Sequence, residues 1–333
     1  MKAIAMTAPG NPDVLQLREF PEPQITSPTE ILVRLQAAGV NPIDTKLRQR
    51  GTFYPEQMPA ILGCDGAGIV EAIGAEVGQF QPGDEVYFCA GGLGKSGSGN
   101  YAEFTVIEQH LATFKPKSLS FAEAAAAPLV LITAWESLYD RGRLKAGQKV
   151  LIHAGAGGVG HVAIQLAKLR GADVCTTVGS PDKARLARQL GADYTILYRQ
   201  TDWVQAVLDW TDGQGVDLAF DTVGGQTFFD SCRAVRVYGD LVTILEPDIS
   251  LGNLKVGRNR NLRVSLELML SPALMGLVEA QRHQTDILQQ CAAWIDQGKL
   301  EIHLNETFPL KDAAVAHRAI ETGSTTGKIA LVV

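Results

Sequence analysis

Cysteine is scarce in this chain, and its pattern excludes a disulfide scaffold. Only five cysteines occur in 333 residues, scattered and odd in number: Cys64, Cys89, Cys175, Cys232 and Cys291. Disulfide-stabilised domains instead carry even numbers of cysteines at short, regular spacings. We therefore expect free thiols and a location in the reducing cytoplasm.

Long apolar runs and basic clusters are also missing. No segment approaches the roughly 18 uncharged apolar residues of a membrane-spanning helix, and the apolar run after Met1 is too short for a signal peptide. The chain has no Lys/Arg-rich run, and its formal net charge is −6. We therefore expect neither a membrane nor a nucleic-acid partner.

What remains is the composition of an ordinary globular enzyme, with 46% apolar and 20% charged residues. Residues 1–125 contain short extended runs separated by Pro and Gly, which predicts a mostly β domain. From residue 126 to residue 265 strands and helices alternate, as in a doubly wound parallel sheet. The predicted strands are 149–153, 173–178, 194–197, 217–221 and 239–245.

Leu-rich helical stretches follow residue 266, and the chain closes with an apolar strand at 328–333. A terminal strand needs a sheet to join, and the β-rich first domain is the expected host. The sequence thus predicts an α/β protein in which a parallel sheet domain (126–265) is inserted into a discontinuous domain (1–125 and 266–333).

The most informative motif is a glycine-rich turn between a strand and a helix. Val150–Ile152 forms the predicted strand, and Gly155, Gly157 and Gly160 then have G-x-G-x-x-G spacing. In dinucleotide-binding folds the first glycine permits a tight turn, the second admits a pyrophosphate and the third lets the helix pack closely. Free N–H groups and the helix dipole then hold the phosphate. The alternative is an ordinary tight turn.

The residues after the second predicted strand favour NADPH over NADH. An NAD site usually has Asp or Glu there to bind the ribose hydroxyls, but this position holds Val178. Ser180 and Lys183 follow and could bind a 2′-phosphate, over which Tyr198 could close. Alternatively, Ser180 only caps a helix and Lys183 is a solvated helix residue.

Several motifs together resemble the medium-chain dehydrogenase/reductase superfamily, most closely its zinc-free quinone oxidoreductase (zeta-crystallin-like) branch. The resemblance runs nearly end to end. It implies a Rossmann domain within a GroES-like catalytic domain, and a homodimer formed by edge-to-edge extension of the nucleotide-domain sheets. The motifs that carry it are Ala38–Asp44, Leu62–Val70, Gln81–Val86, Gly99–Phe104, the glycine turn, Ala219–Gly225 and Gly327–Leu331.

Zinc-dependent members of that superfamily carry Cys, His and Cys as metal ligands. In this chain Asn41, Cys64 and Leu129 stand at these positions. A catalytic zinc needs three protein ligands and a water, so the resemblance implies a site without metal. Cys64 is then either a packed apolar residue or a nucleophile.

Without a metal to stabilise an alkoxide, conjugate reduction demands less of the protein than alcohol oxidation. None of the seven tyrosines has Lys four residues later, which argues against a tyrosine base of that type. One or two hydrogen-bond donors suffice for the oxygen of an enolate or hydroquinone. The resemblance implies Asn41 and Tyr54 as donors, with Asp44 orienting their segment; alternatively, Asn41 forms a turn and Tyr54 only packs.

The resemblance also implies a set of residues that contact the cofactor. Thr133 is expected beside the nicotinamide, and Lys328 at the pyrophosphate unless it is a solvated strand-edge lysine. The full expected set is Asn41, Thr133, Gly155, Gly157, Gly158, Val159, Gly160, Ser180, Lys183, Tyr198, Val223, Leu245 and Lys328.

These expectations converge on an NADPH-dependent reductase of small quinones, enones or enals. Two alternatives stay open at this point. One is a zinc-free alcohol dehydrogenase. The other is a non-catalytic, cofactor-binding protein of the crystallin type, acting either as a lens-type structural protein or as a binder of single-stranded RNA. The acidic net charge disfavours RNA, because phosphate binding needs clustered positive charge.

Overall fold

The computed structural model describes all residues from Met1 to Val333. The chain forms two compact units, of which one comprises Met1–Leu129 and Ser271–Val333 and the other comprises Val130–Leu270. The second unit is therefore inserted into the sequence of the first. Both boundaries lie a few residues beyond those expected from the sequence. None of the helices has the length and apolar character needed to cross a membrane.

The N-terminal segment of the first unit consists mainly of short strands. A capping box opens its second helix, because Ser120 Oγ accepts from Glu123 N and the Glu123 carboxylate accepts from Ser120 N at 2.8 Å. The elements are β1 (Lys2–Met6), β2 (Leu15–Glu19), β3 (Glu30–Val40), α1 (Pro42–Arg50), β4 (Ala60–Ile61), β5 (Asp65–Ile73), β6 (Glu85–Cys89), β7 (Phe104–Glu108), β8 (Ala112–Phe114) and α2 (Phe121–Ala126).

The inserted unit alternates strands and helices. Its elements are α3 (Pro128–Trp135, across the boundary), a π-helical turn (Glu136–Arg141), β9 (Lys149–Ile152), α4 (Gly160–Leu169), β10 (Asp173–Val178), α5 (Pro181–Gln189), β11 (Tyr194–Leu197), α6 (Trp203–Trp210), β12 (Val216–Asp221), α7 (Gln226–Ala234), β13 (Val235–Thr243), α8 (Lys255–Asn259) and β14 (Arg263–Leu266).

These six strands form one parallel sheet in the order β11-β10-β9-β12-β13-β14. The chain winds outward from β9 in both directions, so the doubly wound parallel sheet is confirmed. Strand β13 begins earlier than predicted and β14 was not predicted. In this region the pairing register of β12 and β13 shifts, and Tyr238 has a φ of 61°, which interrupts the regular strand pattern.

The C-terminal segment completes the first unit. Its elements are α9 (Ser271–Met275), α10 (Val278–Asp296), β15 (Leu304–Pro309), α11 (Ala313–Glu321) and β16 (Lys328–Val332). Strand β16 pairs with β15 and, antiparallel, with β3, giving a sheet in the order β15-β16-β3-β5-β6-β8 with β7 also on β3. The prediction that the last strand joins the β-rich domain is confirmed.

Candidate active site

The glycines of the turn between β9 and α4 are required for different structural reasons. A Cβ at Gly155 would lie 2.1 Å from Thr176 Oγ1, and a Cβ at Gly160 would lie 2.2 Å from the Ala154 carbonyl oxygen. These two glycines therefore let the turn pack on β10 and α4 pack on the turn. At Gly157 the nearest atom would be the Ala154 carbonyl oxygen at 3.1 Å, so the rest of its surface is open.

The left-handed residue of this turn is Ala154, with a φ of 53°, and not Gly155. This conformation costs a non-glycine residue about 1 kcal/mol. The turn is held by bonds from Ala154 N to Thr177 Oγ1 at 3.3 Å and from Gly157 N to the Ala154 carbonyl oxygen at 2.8 Å. The amides of Gly158 and Val159 donate to no backbone carbonyl, which leaves donors for an anion at the helix start.

A buried histidine lies beneath the turn. His153 Nδ1 is 3.0 Å from Thr177 Oγ1, and Nε2 is 3.0 Å from Ser231 Oγ, which itself donates to the Thr227 carbonyl oxygen. The ring also packs edge-on against Trp203. Burial lowers the pKa of His153 to about 4, although the nearby Asp221 carboxylate opposes the shift. His153 is thus a neutral anchor of the turn at physiological pH.

The residues predicted for a 2′-phosphate gather at the end of β10. Ser180 caps α5 by accepting from Lys183 N at 3.3 Å, as expected of a serine that precedes a helix. Tyr198 is 45% exposed, and its hydroxyl would lie 3.3 Å from a Cβ at Gly179. A cavity of about 150 Å³ adjoins this edge of the sheet and is lined by His153, Ala154, Thr177, Tyr198, Trp203, Val223 and Thr227.

A second turn of the same unit follows β12. The buried Asp221 carboxylate accepts from the amides of Val223 and Gly224, each at 2.9 Å, and from Thr243 Oγ1 at 3.0 Å. Leu245 packs against Gly224, where a Cβ would be 2.7 Å from its side chain. Asp221 thereby fixes the segment that carries Val223, which is 49% exposed.

Thr133, which was predicted to lie beside the nicotinamide, is buried on α3.

The other unit contains a buried polar cluster around Asn41, the residue that precedes α1. Asn41 Nδ2 donates to Asp65 Oδ2 at 2.8 Å, and Lys328 Nζ donates to Asn41 Oδ1 and, at 3.1 Å, to the Val40 carbonyl oxygen. Asn41 and Asp65 are fully buried and Lys328 nearly so. The structure therefore gives Lys328 partners within its own unit and does not leave it as a solvated strand-edge lysine.

Asp44 is the second carboxylate of this cluster. Its Oδ2 accepts from Asn41 N at 2.8 Å and from the Tyr101 hydroxyl at 3.2 Å, while its Oδ1 has no hydrogen-bond partner. Burial raises the pKa of Asp44 to about 7, and Asp65 adds to the shift. Burial also raises the pKa of Asp65 to about 6, although Lys328 opposes the shift.

Sequence patterns did not identify Asp65, Tyr101, His317 or Arg48. Tyr101, on the loop before β7, places its hydroxyl 3.2 Å from His317 Nε2, and His317 lies on α11. Arg48 on α1 is buried and donates to Glu321 at 2.5 Å. A buried arginine is unusual, but no local sequence spacing connects Arg48 with Glu321 or Tyr101 with His317, since each pair is more than 200 positions apart.

The three positions that hold zinc ligands in zinc-dependent relatives meet around Asp65. Asn41 donates to Asp65 Oδ2 and Leu129 N donates to Asp65 Oδ1 at 2.9 Å. Cys64 is buried beside the carboxylates, and burial raises the pKa of its thiol well above the ordinary value. Leu129 offers no ligand atom and the Asn41 amide oxygen faces an ammonium group, so this donor set does not fit zinc. No group of three or more potential metal ligands occurs in the chain.

Tyr54 lies on the loop between α1 and β4. Its amide donates to Thr52 Oγ1 at 3.3 Å and its carbonyl oxygen accepts from Gln57 N at 3.0 Å. The side chain is half-buried, and its hydroxyl is bonded to no protein group. Tyr54 therefore retains a free donor.

A doubly wound parallel sheet with a glycine-rich turn after its first strand is the arrangement of dinucleotide-binding domains. Two family profiles match this chain. Residues 27–117 match the alcohol dehydrogenase GroES-like domain, and residues 190–331 match the zinc-binding dehydrogenase family.

Individual relatives are similar to this chain over its full length. The quinone oxidoreductase of Pseudomonas aeruginosa is 34% identical over 99% of both chains. An alcohol dehydrogenase superfamily protein from Novosphingobium aromaticivorans has a TM-score of 0.91 at 35% identity, covering 100% of this chain and 99% of its own. The quinone oxidoreductase of Escherichia coli, solved with NADPH, has a TM-score of 0.87 at 31% identity and full coverage of both chains. The chain therefore belongs to the medium-chain dehydrogenase/reductase superfamily, in its quinone oxidoreductase branch.

The raised pKa of Asp44 predicts a pH-dependent stability effect. Below its unfolded pKa near 4 the protonated side chain favours the folded state, and this contribution is lost as the pH rises to about 7. Asp44→Asn keeps an oxygen for Asn41 N and Tyr101 and removes the buried charge. Relative to the unchanged protein, its free energy of unfolding should rise by up to about 1.4 kcal/mol per pH unit across this range.

Urea unfolding between pH 5 and pH 8 measures this effect. Asp286→Asn, at an exposed position of α10, serves as the matched control and should show no such trend. A stability difference for Asp44→Asn that is independent of pH would contradict the assignment.

Proposed function

We propose that this protein is an NADPH-dependent reductase that transfers a hydride to quinones or to α,β-unsaturated carbonyl compounds without zinc. The observation that carries the proposal is the combination of an open glycine turn with a neighbouring strand end that lacks a carboxylate. The turn offers unpaired amides at Gly158 and Val159, and β10 ends at Val178. The NADPH bound to the Escherichia coli relative supports the choice of cofactor.

The inserted unit supplies the groups that would hold NADPH. The open face of Gly157 and the amides of Gly158 and Val159 would bind the pyrophosphate, and Gly155 and Gly160 permit the packing of that turn. Ser180 and Lys183 would bind the 2′-phosphate together with Tyr198, whose exposed hydroxyl is adjacent to Gly179. Absence of an acidic side chain at Val178 removes the repulsion that NADPH would otherwise meet.

Three further residues are proposed for the nicotinamide end. Val223 and Leu245 lie on the segments ordered by Asp221 and Gly224, and Thr133 completes the set that the family resemblance implies. NADPH, when bound, supplies the hydride, and the protein supplies position and electrostatics.

The first unit supplies the donors for the acceptor. Reduction of a quinone or enone adds a hydride to carbon and a proton to the oxygen on which negative charge develops. The unbonded hydroxyl of Tyr54 and the second amide hydrogen of Asn41 are proposed to donate to that oxygen. Asp44 orients this segment through its bond to Asn41 N.

The chemistry proposed here needs no Lewis acid. Charge on an enolate or hydroquinone oxygen is delocalised, so hydrogen-bond donors stabilise it sufficiently. The cluster of Asn41, Cys64 and Leu129 lacks a zinc ligand set, as described above.

The activity is tested with purified protein and a panel of quinones, enones, enals and alcohols. We expect NADPH to be consumed with quinones or enones, at a rate that a zinc chelator leaves unchanged. NADP⁺ with simple alcohols should give no turnover. The proposal fails if no quinone, enone or enal is reduced, or if activity depends on added zinc.

A substitution at Ser180 tests the cofactor preference. Ser180→Asp retains an oxygen that caps α5 and places a negative charge where the 2′-phosphate is proposed. We expect the KM for NADPH to rise at least about tenfold, since like charges at close range repel, while the KM for NADH changes little.

Ser180→Asn is the matched control, because asparagine caps a helix without adding charge. Steady-state kinetics with both coenzymes measures the outcome. An equal loss of affinity for NADPH and NADH in Ser180→Asp would place the 2′-phosphate elsewhere.

We further propose that two copies of the chain associate through β14. This strand is the edge of the inserted sheet, and Leu266 on it is 63% exposed, with Val264 and Leu268 also exposed. An uncovered apolar edge strand is a ready partner for a second sheet. Extension of the sheet across two copies would bury these side chains.

Leu266→Glu should convert the assembly to monomers, because a carboxylate cannot be buried at the paired edge without a large cost. Light scattering coupled to size exclusion measures the molar mass. Leu17→Glu, on an edge strand of the other unit at 45% exposure, is the control and should remain dimeric. A monomeric unchanged protein would refute the assembly.

A further inference from the structure

The carboxamide of Asn41 is held by opposite charges at its two ends. Lys328 Nζ donates to its oxygen, and its nitrogen donates to Asp65 Oδ2 at 2.8 Å. Asp65 is fixed in turn by Leu129 N at 2.9 Å, and Lys328 by the Val40 carbonyl oxygen at 3.1 Å. All three side chains are at least 97% buried, so water does not compete for these bonds.

The strand order produces this arrangement. Asn41 directly follows β3, which lies between β16 and β5. Ile329 of β16 pairs with Val40, and Asp65 of β5 pairs with Gly39. Lys328 and Asp65 are therefore brought to opposite sides of Asn41 by the registers of two different strand pairs.

The charges also fix the orientation of the amide. Rotation by a half turn would place the amide NH₂ against an ammonium and the amide oxygen against a carboxylate, and both contacts repel. The observed orientation uses one amide hydrogen on Asp65 and leaves the second hydrogen without a protein acceptor, although Asn41 is fully buried.

We propose that Lys328 and Asp65 are positioning residues that clamp the Asn41 carboxamide and direct its second hydrogen to the substrate oxygen. This inference rests on the proposed function, in which Asn41 donates to that oxygen. It assigns Lys328 a role through Asn41 and not a direct contact with the pyrophosphate. Burial lowers the pKa of Lys328, while the Asp65 and Asp44 carboxylates oppose that shift and favour the ammonium.

Kinetics with 1,4-benzoquinone and NADPH tests the clamp in Lys328→Met, Asn41→Ala and the double variant. In Lys328→Met we expect kcat to fall about tenfold to a hundredfold, since a loosened donor loses alignment. The Kd for NADPH, from fluorescence titration, should stay within about twofold. The double variant should be no slower than Asn41→Ala, because Lys328 acts through that amide. Lys299→Met, an exposed lysine, is the control.

Three kinetic outcomes would overturn the inference. The first is an unchanged kcat with NADPH affinity weakened about tenfold, which indicates direct pyrophosphate contact. The second is a loss of kcat in the double variant that equals the product of the losses in Lys328→Met and Asn41→Ala. The third is full activity of Asn41→Ala, which would leave NADPH-dependent reduction itself intact.

Loss of a buried cation can prevent folding, so Lys328→Met/Asp65→Asn is tested alongside, with one charge of each sign removed. Its kcat should match that of Asn41→Ala, and an unchanged kcat would overturn the inference.

A nuclear magnetic resonance measurement tests the clamp without turnover. In protein labelled with ¹⁵N-asparagine, the side-chain amide signals that vanish in Asn41→Ala belong to Asn41. These signals should shift, and exchange faster with solvent, in Lys328→Met and in the charge-balanced variant. Unchanged signals would refute the clamp. A shift in a protein that reduces no quinone would refute the proposed function and leave the clamp standing.

Discussion

The candidate active site depends on the pairing of β3 with strands from distant parts of the chain. One edge of β3 pairs with β5, and the other edge pairs first with β7 and then with β16. This arrangement brings Lys328 beside Asn41, although 287 residues separate them in sequence. A single cation is thereby buried with two carboxylates. Burial raises the pKa values of Asp44 and Asp65, and Lys328 opposes this rise. Sheet register and site electrostatics are consequences of the same pairing.

The parts of the fold that could be predicted are those with a local signal. The glycine spacing after β9, the capping box at Ser120 and the apolar terminal strand each depend on neighbouring residues, and the structure contains all three. Strand β14 was not predicted and has only four residues, Arg263–Leu266, while Tyr238, in a left-handed conformation, interrupts the pattern of β13. Gly155 was assigned the turn conformation that Ala154 adopts, since glycine is the usual residue there.

The candidate site was predicted less completely, for a physical reason. Asn41, Asp44 and Tyr54 were identified by resemblance, but the partners that fix the first two lie on other strands and helices. Asp65, Tyr101 and His317 meet Asn41 and Asp44 only after the sheet has formed. No periodicity encodes such contacts. Ser180 shows the opposite case: its capping role has a local signal in the sequence and is observed, while its phosphate role stays a prediction.

The insertion of one unit within the other has a consequence for synthesis on the ribosome. The inserted sheet is complete in the nascent chain once β14 has emerged, and all its strand partners are then present. The sheet around β3 still lacks β15 and β16 at that stage. Until β16 is synthesised, one edge of β3 remains exposed, and the carboxyl groups of Asp44 and Asp65 lack the Lys328 ammonium. During translation the inserted unit can therefore complete its sheet before the first unit does.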